Sequence, residues 1–180
     1  MAGPLPEGNE MPLDGSLPAG VNIGAATRTM SAYIHVPFCR VRCGYCDFNT
    51  YTSTELRGTS QSTYIEELAR EIEFSGEVLS RSEVPQRALT SVFFGGGTPT
   101  LLPAQDLAHA LELVRRVHGV EGSAEITTEA NPDTITSEYV KTLAASGFTR
   151  ISLGMQSAVP SVLATLDRTH NPASVADAVS

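Results

Sequence analysis

Short apolar segments alternate along the chain with longer amphipathic ones. Residues 31–38 are aromatic and β-branched, and residues 90–94 form an apolar run between turn residues. The composition of residues 31–38 is typical of strands, and that of residues 90–94 is typical of a strand buried on both faces. Residues 125–129 and 150–154 complete a set of four predicted strands.

The segments between the predicted strands carry apolar residues at helical spacing. Thr63, with Glu66 three residues later, is a capping-box signature that predicts the start of the first helix. Proline suits the first turn of a helix, and glycine suits the position just after its end. Residues 161–166 predict a further short helix. The other predicted helix boundaries are, in chain order, Pro103, Gly119, Gly147 and the pair Asn171-Pro172.

This alternation predicts the fold class. Strands that alternate with helices indicate βαβ units, and hence an α/β fold with a parallel sheet that is open or curled into a barrel. The fourth strand would be a sheet edge, yet Ile151 and Leu153 are apolar, so we expect the domain to continue beyond it. Residues 1–30 are rich in proline and glycine and predict a flexible leader, followed by the N-terminal part of one domain over residues 31–180.

Charge and composition argue against several partners. Of the 180 residues, 12 are basic and 20 acidic, and the net charge is −8. No basic cluster is longer than Arg115-Arg116, so nucleic acid is not an expected partner. No apolar run reaches the roughly 18 residues of a transmembrane segment, and the chain does not begin with a secretory signal. We therefore expect a cytoplasmic protein.

All three cysteines lie in one short segment, with the spacing Cys39-x3-Cys43-x2-Cys46. They cannot all pair as disulfides, and in a reducing compartment such a cluster binds metal or performs redox chemistry. Thiolates suit iron–sulfur clusters and zinc, and three ligands leave one metal position open. The alternatives are free thiols, or zinc with His35 as fourth ligand. Zinc favours two C-x2-C pairs, however, and His35 is expected to pack on its strand.

The cysteine segment resembles a known signature. The pattern C-x3-C-x-aromatic-C, with Tyr45 as the aromatic residue, is similar to that of radical S-adenosylmethionine (SAM) proteins. Residues 33–39 (Tyr-x-His-x-Pro-Phe-Cys) and 95–100 (Gly-Gly-Gly-Thr-Pro-Thr) resemble more narrowly the oxygen-independent coproporphyrinogen dehydrogenases and their haem-chaperone relatives. The resemblance covers residues 33–180 and implies part of a TIM-type (β/α) barrel.

The resemblance also implies cofactors and site residues. In this family three cysteines hold a [4Fe–4S] cluster, SAM chelates the open iron, and an electron from the cluster cleaves SAM to a deoxyadenosyl radical. By this resemblance Cys39, Cys43 and Cys46 are the cluster ligands. The other matched positions are expected to share one rim of the sheet, because the carboxyl ends of parallel strands meet there. The positions that match SAM-binding residues are Tyr33, Tyr45, Gly96, Gly97, Thr98, Glu129, Gln156 and Arg168.

One position separates the two branches of the family. The dehydrogenases carry a further cysteine two residues after the third, where this chain has Phe48. The resemblance therefore points to the haem chaperones, which bind haem and transfer it to an acceptor protein, with an electron donor for the cluster. Dehydrogenation of coproporphyrinogen is the alternative. His170 is a candidate haem ligand, although helix capping by Asn171-Pro172 already explains this stretch.

Overall fold

The computed structural model describes residues 8, 10, 12–52, 60–168 and 170–179. Four parallel strands form one sheet in the order β1-β2-β3-β4, which confirms the predicted α/β class. Five α-helices follow or separate these strands within the described residues. The strands are β1 (Ser31–Val36), β2 (Leu89–Gly96), β3 (Val120–Ala130) and β4 (Arg150–Leu153). The helices are α1 (Gln61–Arg81), α2 (Ala104–His118), α3 (Ser137–Ala145), α4 (Pro160–Thr165) and α5 (Ala173–Ala178).

Several boundaries differ from the predicted ones by a few residues. Helix α1 is capped by Ser60, which forms its capping box with Thr63, so Thr63 is the partner and not the cap. Pro103 and Pro172 each precede their helix by one residue. The N-cap of α5 is thus Pro172 and not Asn171, although the Asn171 Oδ1 accepts from the Ala173 amide at 3.0 Å. Serine, threonine and asparagine are all favoured capping residues, so composition alone does not choose between neighbouring candidates.

The core lies between the sheet and helices α1 to α3. Val36, Phe94 and Leu111 have no exposed surface, and Phe94 packs against Phe148 with ring centroids 5.2 Å apart. Each such side chain contributes roughly 1.5–3 kcal/mol by leaving water. The opposite face of β2 is less covered than predicted, since Phe93 is only half-buried. That face carries aromatic side chains near the candidate site.

Residues 12–30 contact the domain. Ala25 is buried, the Arg81 guanidinium donates to the Asp14 carbonyl at 3.0 Å, and Arg87 donates to the Ala25 carbonyl. The flexibility of the leader remains a prediction. Among the described residues, no helix has the length and hydropathy needed to cross a bilayer.

Strand register defines the rim that matters for function. Val36 pairs with Gly96, Phe94 with Thr128, and Glu129 with Ser152. The carboxyl ends of all four strands therefore lie at one edge of the sheet, and the segments that follow them meet there. These segments include the cysteine loop and the glycine-rich loop.

Candidate functional site

The cysteine loop begins just after β1 and is closed by backbone hydrogen bonds. The Cys39 amide donates to the Tyr51 carbonyl at 3.0 Å, and the Tyr51 amide donates to the Pro37 carbonyl at 2.8 Å. Within the loop the Cys46 amide donates to the Cys43 carbonyl at 3.0 Å. Cys39, Cys43 and Cys46 are half-buried and carry free thiols. The loop thus presents three unpaired thiols on a closed backbone.

A single metal ion and an iron–sulfur cluster require different arrangements of thiols. In the part of the chain that the structure describes, no three Cys, His, Asp or Glu side chains converge on one ion position. Each thiolate that holds a [4Fe–4S] cluster binds a different iron, so such ligands need not converge. Burial raises the pKa of the Cys39 thiol, and the neighbouring Cys46 and Cys43 raise it further. Metal binding must therefore displace a proton from this thiol.

His35 is not available as a zinc ligand. Its Nε2 lies 2.7 Å from the Asn49 carbonyl oxygen and its Nδ1 lies 3.4 Å from the Tyr33 hydroxyl. A carbonyl only accepts, so Nε2 carries the proton and Nδ1 accepts from Tyr33. Both nitrogens are used within the protein, and the zinc alternative loses the fourth ligand that the sequence offered.

The glycine-rich loop packs directly on the cysteine loop. The Gly97 amide donates to Val36 O at 2.8 Å, and the Thr98 amide donates to Phe38 O at 2.7 Å. A Cβ at position 97 would clash with the Phe38 carbonyl and lie 3.0 Å from Cys39 Sγ. Only glycine allows this close approach. The main chain of the glycine loop therefore forms one wall of the thiol site.

Glu129, at the end of β3, supports the same loop. Its Oε2 accepts a hydrogen bond from the Gly96 amide at 3.1 Å. Gly96 has φ of 112°, a left-handed conformation that glycine adopts without strain. Thr98 is buried, with its hydroxyl 3.4 Å from Asn131 Nδ2. The predicted residues Gly96, Gly97, Thr98 and Glu129 are thus brought together.

Arg168 connects the far side of the rim to the cysteine loop. Its Nη1 donates to Cys43 Sγ at 3.4 Å, and its Nη2 donates to Asn131 Oδ1 at 2.6 Å and to the Gly154 carbonyl at 2.8 Å. The Nε atom is buried and makes no hydrogen bond within the described residues. The guanidinium therefore places a positive charge beside Cys43, with one of its donors unpaired.

Asn131 was not predicted as a site residue, because the sequence Asn131-Pro132-Asp133 is typical of a turn. In the structure it bridges Thr98 and Arg168. Its position directly after β3 places it on the rim that the matched residue Gln156 was also expected to share. Asn131 is both a typical turn residue and a residue of the rim. Only its position on the rim indicates that it bridges other site residues.

Three other predicted residues lie at the edges of the site. Tyr33 is 57% exposed and stacks on Phe93 with centroids 5.9 Å apart, and Tyr45 is 49% exposed within the cysteine loop. Burial and then the charge of Glu129 raise the pKa of Tyr33, which places this carboxylate near the ring. Gln156 is exposed with φ of 58°, and its side chain bonds to no other candidate residue that the structure describes.

His170 is buried next to the site. It is 6% exposed, and neither ring nitrogen has a hydrogen-bond partner among the described residues. It lines a cavity of about 20 Å³ together with Cys43, Asn131 and Arg168. This volume holds about one water molecule, which could bridge these groups. A buried imidazole beside so small a cavity cannot face a haem plane without rearrangement.

Comparison with known proteins gives a consistent result. The family model described as "Radical SAM superfamily" matches residues 33–180. The heme chaperone HemW of Mycobacterium tuberculosis is 46% identical over 148 residues, which are 82% of this chain and 37% of that protein. HemW of Haemophilus influenzae is 37% identical over 151 residues, 84% of this chain and 39% of that protein.

A solved structure is also similar. Coproporphyrinogen III oxidase (HemN) from Escherichia coli, described as a radical SAM enzyme, aligns with a TM-score of 0.70 and 26% identity. The alignment covers 84% of this chain and 33% of that one. The chain thus spans little more than a third of the length of the relatives it matches. The predicted resemblance and the partial (β/α) architecture are confirmed.

Proposed function

Because the chain belongs to the radical SAM superfamily, we propose that its rim binds a [4Fe–4S] cluster and SAM in a protein that delivers haem to an acceptor protein. The observation that carries the proposal is the set of three free thiols on one closed loop, contacted by Gly97 and Arg168. Thiolates are the ligands that iron–sulfur clusters require.

Cys39, Cys43 and Cys46 would each bind one iron and leave the fourth without a protein ligand. When bound, this pair of cofactors supplies one-electron chemistry. The chain itself contributes the thiolates, a glycine wall that admits the cluster, and partial burial that limits solvent access. The closed hydrogen bonding of the loop holds the thiols in place before binding, which lowers the entropic cost of ordering them.

The polar groups of the rim match the charges of an amino acid moiety such as that of SAM. The Glu129 carboxylate suits the ammonium group, and the Arg168 guanidinium suits the carboxylate. Gly96 and Thr98 lie between these two side chains along the rim. Tyr33 and Tyr45 offer exposed aromatic rings as apolar cover, and Gln156 would complete the polar contacts from the end of β4. These assignments rest on rim position and charge.

Haem transfer is favoured over dehydrogenation by the relatives and by one residue. The relatives at 46% and 37% identity bear the name heme chaperone, whereas the oxidase structure is 26% identical. Phe48, which is 60% exposed, occupies the position of the additional cysteine expected of the dehydrogenases. Oxidation of coproporphyrinogen remains the second candidate, supported by the overall similarity to the oxidase structure.

Anaerobic reconstitution with iron and sulfide tests the cofactor assignment. We expect a brown protein with broad charge-transfer absorption, about four irons per chain, and an EPR spectrum of the reduced cluster that changes when SAM is added. Cys43→Ser should lose the cluster. A colourless protein that holds one zinc, or full iron content in Cys43→Ser, would contradict the assignment.

Haem titration tests the second half of the proposal. A haem chaperone binds haem and releases it to an acceptor, without turnover of coproporphyrinogen. The two candidates are separated by measuring haem binding and coproporphyrinogen consumption on the same reconstituted sample. Turnover without haem binding would establish the dehydrogenase instead.

A further inference from the structure

Asn131 lies between the glycine-rich loop and Arg168, and its side-chain amide is hydrogen bonded at both ends. Its Oδ1 accepts from Arg168 Nη2 at 2.6 Å, and its Nδ2 donates to Thr98 Oγ1 at 3.4 Å. A guanidinium has only donors, so the amide oxygen must face Arg168 and the amide nitrogen must face Thr98. These two neighbours therefore define the orientation of the amide.

The turn that begins at Asn131 does not use this side chain. Asn131 has extended dihedral angles, φ −89° and ψ 145°, and its side chain makes no capping hydrogen bond to residues 132–134, all of which the structure describes. In the other Asn-Pro pair of the chain, by contrast, Asn171 Oδ1 accepts from the Ala173 amide. The amide of Asn131 is therefore directed away from its own turn and toward the site.

Arg168 reaches the cysteine loop from the end of α4. Its amide donates to the Leu163 carbonyl at 2.9 Å, which fixes its backbone. An arginine side chain has several rotatable bonds, so contacts at its tip determine where the guanidinium lies. At the tip, Nη2 donates to Asn131 and to the Gly154 carbonyl, and Nη1 then points to Cys43 Sγ at 3.4 Å.

The contact with Asn131 is the one that orients the guanidinium. The Gly154 carbonyl accepts from Nη2 at 2.8 Å, but a single acceptor leaves the guanidinium plane free to turn about that bond. A second acceptor on the same nitrogen fixes the plane, and the direction of Nη1 follows because the group is rigid. Asn131 can serve in this way because its own carbonyl accepts from the Thr134 amide at 3.0 Å and from the Thr134 hydroxyl at 2.8 Å. Groups on anchored backbone hold their neighbours precisely.

We propose that Asn131 is a positioning residue of the cofactor site, which holds the Arg168 guanidinium against Cys43 and toward SAM. The inference rests on the proposed function, because it concerns a cluster on Cys43 with SAM beside it. Asn131 itself would touch neither cofactor. Its effect on the site would be exerted through Arg168.

Two measurable properties of the reconstituted protein should then depend on Asn131. The first is the affinity for SAM, whose carboxylate Arg168 would bind. The second is the reduction potential of the cluster before SAM is added. A donor and a positive charge beside the Cys43 sulfur favour the reduced cluster, which is the more negative one, and therefore raise its potential.

A double-mutant cycle on the reconstituted protein tests this inference. Asn131→Ser keeps a residue that suits a turn, but its side chain is too short to reach Arg168. We expect SAM affinity, measured by calorimetry, to fall about tenfold, the size of one hydrogen bond to a charged group. The reduction potential should become more negative, as in Arg168→Gln. In the Arg168→Gln background, Asn131→Ser should change neither quantity further.

The matched control is the same substitution at Asn171. This residue is exposed, also precedes a proline, and bonds within its own turn. Asn171→Ser should therefore leave SAM affinity and reduction potential as in the wild type. Asn131→Ala repeats the cycle as a second variant, and both replacements suit the extended backbone that a residue before proline adopts. Circular dichroism, thermal melting and iron content verify folding and cluster occupancy.

The outcomes separate this inference from the proposed function. If Asn131→Ser leaves SAM affinity or potential unchanged, or changes them equally with and without Arg168, the inference is wrong and the proposed function stands. The same holds if Asn131→Ser loses the cluster whereas Arg168→Gln keeps it, because Asn131 then acts on the cysteine loop by another route. If the wild type assembles no cluster or binds no SAM, the proposed function fails and the inference fails with it.

Discussion

Substituting Gly97 by alanine tests the contact between the two loops of the rim. The added Cβ would clash with the Phe38 carbonyl oxygen and lie 3.0 Å from Cys39 Sγ. The carbonyl is backbone and cannot rotate away, so the chain on one side must shift. Forcing an extra methyl group into a packed position costs about 1–3 kcal/mol. The Thr98 to Phe38 hydrogen bond of 2.7 Å is also at risk, at about 0.5–1.5 kcal/mol.

These costs are smaller than the stability of an ordinary domain, about 5–15 kcal/mol. We therefore expect Gly97→Ala to fold but to displace the cysteine loop, with a large loss of cluster. The matched control is Gly122→Ala on β3, where a Cβ meets nothing within 4 Å and φ is not left-handed. Urea unfolding gives the stability change, and iron and sulfide content after anaerobic reconstitution gives cluster occupancy. Full occupancy in Gly97→Ala would refute the role of Gly97 as a wall of the site.

Three further predictions concern other parts of the molecule. Arg168→Gln removes the guanidinium charge beside Cys43, so we expect SAM binding to the reconstituted protein to weaken by about 10- to 100-fold by calorimetry; unchanged affinity would exclude the pairing. Burial lowers the pKa of His118 from 6.5, so the unfolded chain binds the proton more readily and stability falls as pH drops below about 6.5. Urea unfolding should show a shallower decline between pH 7 and pH 5 in His118→Gln, and equal slopes would contradict this. Phe94→Ala should cost about 3–5 kcal/mol in the same assay, because Phe94 is fully buried against Phe148; a cost below 1 kcal/mol would refute its place in the core.

Sequence periodicity predicted the architecture because each strand and helix here buries one regular face. Val92 and Phe94 alternate with half-buried residues, and the stripe of α2 is fully buried. The helix boundaries were harder to predict, because Ser60 and Thr63 are both good capping residues and only the backbone geometry decides between them. The cysteine spacing identified the centre of the site for a similar reason, because the ligands come from one short loop.

The contacts between loops could not be predicted in the same way. Arg168 lies 125 positions from Cys43 along the chain, and no local pattern distinguishes it from a solvated arginine. Asn131 has the additional difficulty that its sequence context already explains it as a turn. Residues of this kind become recognisable only when their partners are known.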